Sequence, residues 1–101
     1  MTNCSVYVVH STSGHCKIGI SEQPKKRIKA LQATQGPFEY ELIHYWVCGS
    51  RKEAAFIERY LHNIFSSCRV NGEWFTLSPA DLIFLGGDGI EMARHEYEHG
   101  R

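Results

Sequence analysis

Residues 5–27, SVYVVHSTSGHCKIGISEQPKKR, constrain the fold more than any other stretch of the chain. Val6, Val8, Ile18 and Ile20 alternate with Tyr7, Val9, Lys17 and Gly19, the period-two pattern of a half-buried hairpin. Successive side chains on a strand point to opposite faces. The aliphatics therefore take one face, and Tyr7 and Lys17 stand on the other, a surface that the core is not expected to need. Ser11-Thr12-Ser13-Gly14-His15 between the two runs supplies turn chemistry. A slip of one residue would exchange Tyr7's face for Val6's, and the aliphatic alternation opposes it.

Beyond the hairpin, Ser21 is expected to cap a helix that has Pro24 in its first turn, runs to about Thr34 and stops at Gly36-Pro37. Ile28 and Leu31 face inward, while Lys25, Lys26 and Lys29 stay in water. Residues 38–48, FEYELIHYWVC, read as a long strand covered on both sides. Phe38, Tyr40, Leu42, His44 and Trp46 would share one of its faces, with His44 partly buried and hydrogen-bonded. Ser50 and Glu53 form a capping box for a helix over 51–65. At ~100° per residue, Ala54, Ile57, Leu61, Ile64 and Phe65 make its apolar stripe. Glu58 lies at the stripe's edge and His62 one turn further on.

Asn71-Gly72 marks a turn into one short strand. Ser78-Pro79 then opens a last helix, which Gly86-Gly87-Asp88-Gly89 is expected to break. Residues 87–101 read as a polar tail, helical or frayed. The order ββαβα(β)α predicts an α+β fold, a small, mostly antiparallel sheet flanked by helices, with one domain over 1–86 and the tail after it.

With 43% hydrophobic and 12% aromatic residues among 101, the chain belongs to folded rather than disordered proteins. No apolar run reaches the ~20 residues that span a bilayer. The N-terminus lacks a basic start and a long apolar stretch, so the expectation is a cytoplasmic protein with no signal peptide and no membrane partner. Cys4, Cys16, Cys48 and Cys68 form no CxxC pair, which disfavours a zinc ribbon or a redox motif and leaves structural thiols. His95 and His99 are four apart, but without an HExxH motif they read as solvated. Net charge is +0, so nothing draws the whole molecule to nucleic acid. The charge is nonetheless uneven. Lys17, Lys25, Lys26, Arg27 and Lys29 face only Glu22 in the first third, and Asp88, Glu91, Glu96 and Glu98 gather near the end. Such a basic patch either binds phosphate or is a solvated helix face.

Five pieces, in this order and at these spacings, resemble the GIY-YIG nuclease superfamily, in the phage and prophage branch whose second motif reads KIG. SVYVV at 5–9 stands for the first motif and KIGIS at 17–21 for the second. Pro24 with Lys26-Arg27-Ile28, the helix segment Ala55-Phe56-Ile57-Glu58-Arg59-Tyr60-Leu61-His62, and Gly72-Glu73-Trp74-Phe75 with Leu77 complete the set. The resemblance covers about residues 5–85 and implies a metal-dependent endonuclease acting on DNA. It gives Tyr7 a part in deprotonating the attacking water, Arg27 the scissile phosphate, and Glu58 a single divalent cation, Mg²⁺ or Mn²⁺. His62 matches a position often polar in this branch and joins the catalytic candidates. Lys17, also a candidate, replaces the second-motif tyrosine. Lys25, Lys26, Arg27 and Lys29 would contact DNA, and a domain this small would show little sequence preference by itself or would rely on a homodimer or a partner.

The chemistry is consistent with those residue types. One carboxylate with waters and phosphate oxygens suits a hard cation, and a guanidinium fork matches two phosphate oxygens. A phenol ordinarily titrates near pH ~10, and Lys17 on the same face is expected to lower that value. Ser5 and Val6 replace the first-motif glycine and isoleucine. The missing second tyrosine keeps another reading open, a catalytically inactive nucleic-acid-binding or interaction module. The endonuclease reading requires Tyr7, Arg27 and Glu58 to converge on one cleft.

Overall fold

Strands β1 (Cys4–Ser11) and β2 (Cys16–Ser21) form the expected antiparallel hairpin in the computed structural model, which describes residues 3–100. Tyr7 lies opposite Gly19 and Val9 opposite Lys17, so the aliphatic register holds. Gly14 takes φ +96° in the connecting turn, a region open to glycine because it has no Cβ. Strand β3 (Tyr40–Cys48) pairs with the other edge of β1, with Tyr45 opposite Tyr7. Where one short strand was expected after residue 68 there are two, β4 (Arg69–Asn71) and β5 (Trp74–Phe75), turned at Gly72 with φ +55°. The five strands run in the order β3-β1-β2-β5-β4, and every pairing is antiparallel.

Two irregularities position the site. β2 pairs with β5 only at Cys16 and Lys17. The Ile18 N–H then donates to the Glu73 carbonyl at 3.0 Å, and the rest of that edge has no strand beside it. On the other side, Val8 faces His44 but Val9 faces Leu42, so Ile43 is an extra residue in β3. This bulge sends Leu42 and His44 to opposite faces. It breaks the single row expected from Phe38 to Trp46.

The helix α1 (Pro24–Thr34) lies against β3, β1 and β2 and buries Leu31. Its N-cap is Gln23, not Ser21. The Ser21 hydroxyl instead accepts the Gln23 N–H at 3.0 Å in the turn before the helix. Tyr7 is only 1% exposed and Val9 is fully buried, so the face expected to be spare is covered.

The opposite face, with Val6, Val8, Cys16 and Ile18, packs against Ala54, Ile57 and Leu61 of α2 (Arg51–Ile64). Ser50 Oγ accepts the Glu53 N–H at 3.1 Å, and Glu53 Oε1 reaches the N–H of Gly49 rather than that of Ser50. Because α2 carries Glu58, its cap supports the site. Ser50→Ala is expected to cost about 0.5–2 kcal/mol, read as a lower melting temperature at roughly 4–8 °C per kcal/mol.

Ser78 and Asp81 cap α3 (Pro79–Phe84) reciprocally, at 3.1 and 2.9 Å. The glycine run does not break the chain's helical course. Leu85–Gly89 make a wider π-type turn that leads directly into α4 (Ile90–His99). Gly86 serves close packing, since a Cβ there would sit 2.7 Å from Nε2 of His44, whereas a Cβ on Gly87 would meet nothing. Ile90 and Ala93 are buried in the same core as Ile57 and Leu61, and α4 packs on α2. All four cysteines are free, and Cys4, Cys16 and Cys48 are buried. Among the described residues no helix is long and apolar enough to cross a membrane.

Candidate active site

Tyr45, Tyr7 and Gly19 form one row across three strands. Residues directly opposite on neighbouring strands share a face, so Tyr7's ring leans toward bare backbone at Gly19. A Cβ on Gly19 would fall 2.8 Å from the Tyr7 hydroxyl oxygen, 2.9 Å from Cζ and 3.0 Å from Glu73 Oε1. The phenol therefore crosses β2 in the space that a side chain would fill. It ends where Glu73 arrives from the turn between β4 and β5. The glycine of KIG is thus a passage for the tyrosine of the first strand.

Lys17 stands two residues from Gly19 on the same face. Its ammonium lies 2.9 Å from Glu73 Oε1 and 5.6 Å from the centre of the Trp74 ring, with the side chain 16% exposed. From the other layer, α2 brings Glu58 and His62 to the unpaired edge of β2. His62 Nε2 donates to the Ile18 carbonyl at 2.9 Å, and Arg69 donates to Nδ1 at 3.2 Å. Its ring also packs on Phe75 at 5.0 Å. With both nitrogens engaged, His62 ties α2 to β2 and fixes the turn that carries Glu58.

Glu58 is half-buried and its Oε2 is a buried oxygen with no hydrogen-bond partner. Burial, then the charge of Glu73 and a hydrogen bond to it, push the Glu58 carboxyl up to about 7, while Lys17 and Arg51 pull it down. Two carboxyl groups bond to one another only if one keeps a proton. The cleft thus holds an acidic pair of which Glu73 has Lys17 as its cation, while Glu58 Oε2 is left without a partner.

The Tyr7 phenol is pushed up to about 12, first by burial and then by Glu73, with Glu58 adding to the rise and Arg27 opposing it. This is the reverse of the expected lowering by Lys17. That ammonium is committed to Glu73, and burial, with the two carboxylates adding to it, sets the direction. Tyr7 is therefore a protonated phenol at neutral pH. Arg27 is exposed on α1, close enough for its charge to act on Tyr7, and makes no side-chain hydrogen bond or ion pair among the described residues. Lys25, Lys26 and Lys29 are exposed on the same helix and lie along its groove with β3.

Of the residues singled out in the sequence, Tyr7 lies over Gly19, Lys17 and Glu58 join it through Glu73, Arg27 stands within electrostatic reach of Tyr7, and His62 stands behind Glu58. Glu73 is the member that was missed as a site residue. Its signal was present in the GEWF piece, a lone carboxylate just after the Asn71-Gly72 turn. The two acids offer hard oxygen donors, one of them orphaned. That donor set suits a cation such as Mg²⁺ or Mn²⁺, which takes one or two carboxylates and completes its shell with water and phosphate. No group of three or more His, Cys, Asp or Glu able to hold a metal ion occurs among the described residues.

Comparison with known proteins agrees in extent with this arrangement. A protein of Escherichia phage T5 that bears the name "Putative endonuclease" is 29% identical over 102 residues, covering 93% of this chain and 35% of its own. The present chain thus spans about a third of that relative's length. No solved structure matches it. Residues 5–84, from the first strand through α3, match the T5orf172 domain and include every residue of the cleft. The chain belongs to the T5orf172 domain family.

Proposed function

We propose that the protein is a metal-dependent endonuclease of the GIY-YIG type that hydrolyses DNA phosphodiester bonds. The observation that carries this reading is the meeting of Tyr7 and Glu73 over the bare backbone of Gly19, with Glu58 bonded to Glu73 and an unpaired guanidinium within electrostatic reach of Tyr7. The relative's name and the order of the five sequence pieces support the same activity.

Each side chain has a task that its surroundings suit. Arg27 binds two oxygens of the scissile phosphate, since its fork has no competing partner in the protein. Glu58 and Glu73 form the seat for a divalent cation, with Glu58 as the principal ligand. Such an ion would neutralise charge on the phosphate and on the leaving oxygen. Tyr7 holds the attacking water with its hydroxyl. Because the phenol is protonated, it positions that water through a hydrogen bond, and the water's proton passes to bulk solvent as its oxygen attacks the phosphorus. Lys17 keeps Glu73 in place. Lys25, Lys26 and Lys29 hold the flanking backbone.

A second reading has one specific observation behind it. Lys17, at the second tyrosine's place in KIG, is tied to Glu73 rather than free for chemistry. A module that binds DNA without cutting it would show salt-sensitive binding and no product.

Nicking of supercoiled plasmid in Mg²⁺ or Mn²⁺ separates the two. The wild type is expected to nick, and Arg27→Ala to slow the reaction by about 10²–10³-fold. Equal residual nicking by wild type and variant contradicts the endonuclease reading.

A further inference from the structure

Gln23, Pro24, Lys25, Lys26 and Lys29 of the α1 region, with Tyr45 of β3, enclose an open groove of about 640 Å³. We infer that this groove is a stacking site for an unpaired DNA base in the strand that flanks the cleaved bond, with Tyr45 as the platform. The inference rests on the endonuclease reading for the flanking strand's position, but the groove's binding chemistry stands on separate observations.

The first is the ring itself. Tyr45 is 46% exposed and, among the described residues, meets no other aromatic ring or cation and makes no side-chain hydrogen bond. A phenol whose cross-strand partner Tyr7 is buried, itself left bare beside lysines, is an unused π surface. The second is charge. Lys25, Lys26 and Lys29 have no ion pair among the described residues, so three cations border the groove with no anion of the protein's own. Cations that track a backbone, beside an aromatic ring on which a base stacks, are the combination that holds single strands. Duplex DNA keeps its base faces inside the stack and cannot offer one to Tyr45.

Position gives the third. Tyr45, Tyr7 and Gly19 stand in one row on adjacent strands. Neighbouring strands are ~4.8 Å apart, so Tyr45 lies about 10 Å from Gly19, or about three steps along a stacked strand at ~3.4 Å each. The groove is therefore on the same face as the cleft and within a few nucleotides of it. A substrate with an unpaired segment beside the cut, such as a flap, a gap or a frayed end, satisfies both sites together.

Binding can be measured without cleavage, which separates this inference from the endonuclease reading. Fluorescence anisotropy of labelled single-stranded and duplex 12-mers in EDTA, with wild-type protein, Tyr45→Phe, Tyr45→Ala and the triple Lys25/Lys26/Lys29→Ala variant, supplies the data. Single strands are expected to bind more tightly than duplex, with affinity falling as salt rises. Tyr45→Ala is expected to weaken single-strand binding about fivefold or more, with Tyr45→Phe close to wild type. The triple lysine variant is expected to flatten the salt dependence. A 2-aminopurine in the strand is expected to lose fluorescence on binding to wild type and to keep it with Tyr45→Ala. Circular dichroism melts of each variant confirm the fold, which a substitution at an exposed ring leaves intact. If Tyr45→Ala binds single strands as wild type does, or if duplex is preferred, the inference is overturned. If these expectations are met while the wild type never nicks plasmid, the groove stands and the endonuclease reading falls.

Discussion

Replacing Glu58 with glutamine is expected to abolish nicking, by about a thousandfold, and yet to raise the melting temperature at pH 8. Both effects follow from one group. In the folded protein Glu58 keeps its proton until about pH 7, because burial and Glu73 oppose its charge. In the unfolded chain it releases that proton near 4.5. Between those values the native state binds more protons than the unfolded state, so the free energy of unfolding falls as pH rises. Above pH 7 the wild type carries the full penalty of an ionised carboxylate beside another, reduced by the solvent that reaches this half-exposed group. Glutamine keeps the shape, removes the charge and can donate to Glu73. Melts in EDTA are therefore expected to coincide near pH 4.5 and to separate in favour of the variant as the pH rises to 8. A gap that does not change with pH contradicts this view of the cleft. Loss of activity with gain of stability is the mark of a residue kept for chemistry at the fold's expense.

The second large effect is expected at Gly19. A methyl group there would lie 2.8 Å from the Tyr7 hydroxyl oxygen and 2.9 Å from Cζ, and the ring is too buried to swing aside freely. Gly19→Ala is expected to cost about 1–3 kcal/mol, the range for overfilling a packed site, or roughly 4–8 °C of melting temperature per kcal/mol in a domain of this size. Nicking is expected to fall further than stability explains, by about 10²-fold, because a displacement of ~1 Å at a reacting group has that consequence. Tyr7→Phe removes the nearest atom. The same alanine is therefore expected to cost less in a Tyr7→Phe background, and a double-mutant cycle in thermal unfolding measures the difference. Equal costs in both backgrounds would show that the Tyr7 hydroxyl is not what the added methyl meets.

Local pattern explains what the sequence made legible. The hairpin register follows from four aliphatics that can face only one way, and that register alone sets Tyr7 beside Gly19 and on Lys17's side. The stripe of Ala54, Ile57 and Leu61 likewise settles which edge of α2 carries Glu58. What escaped depends on partners distant in the chain. Ile43 is a bulge only because β1 pairs with β3 at that register. The glycine run stays helical, and at Gly86 it leaves room for His44 from another layer. Lys17 was expected to lower the Tyr7 phenol, yet burial raises it, and Glu73, which lies far along the chain, engages that ammonium and adds to the rise. Periodicity locates faces, but it does not reveal which charges from remote turns will meet on them.

Everything proposed for the cleft depends on Glu58 and Glu73 together seating a divalent cation within reach of Tyr7 and Arg27. Anomalous diffraction from a crystal soaked in MnCl₂ tests this most directly. The expected result is a manganese peak against the Glu58 carboxylate, on its side toward Glu73 and the Tyr7 hydroxyl. Manganese bound elsewhere on the molecule, with no peak at Glu58, would contradict it.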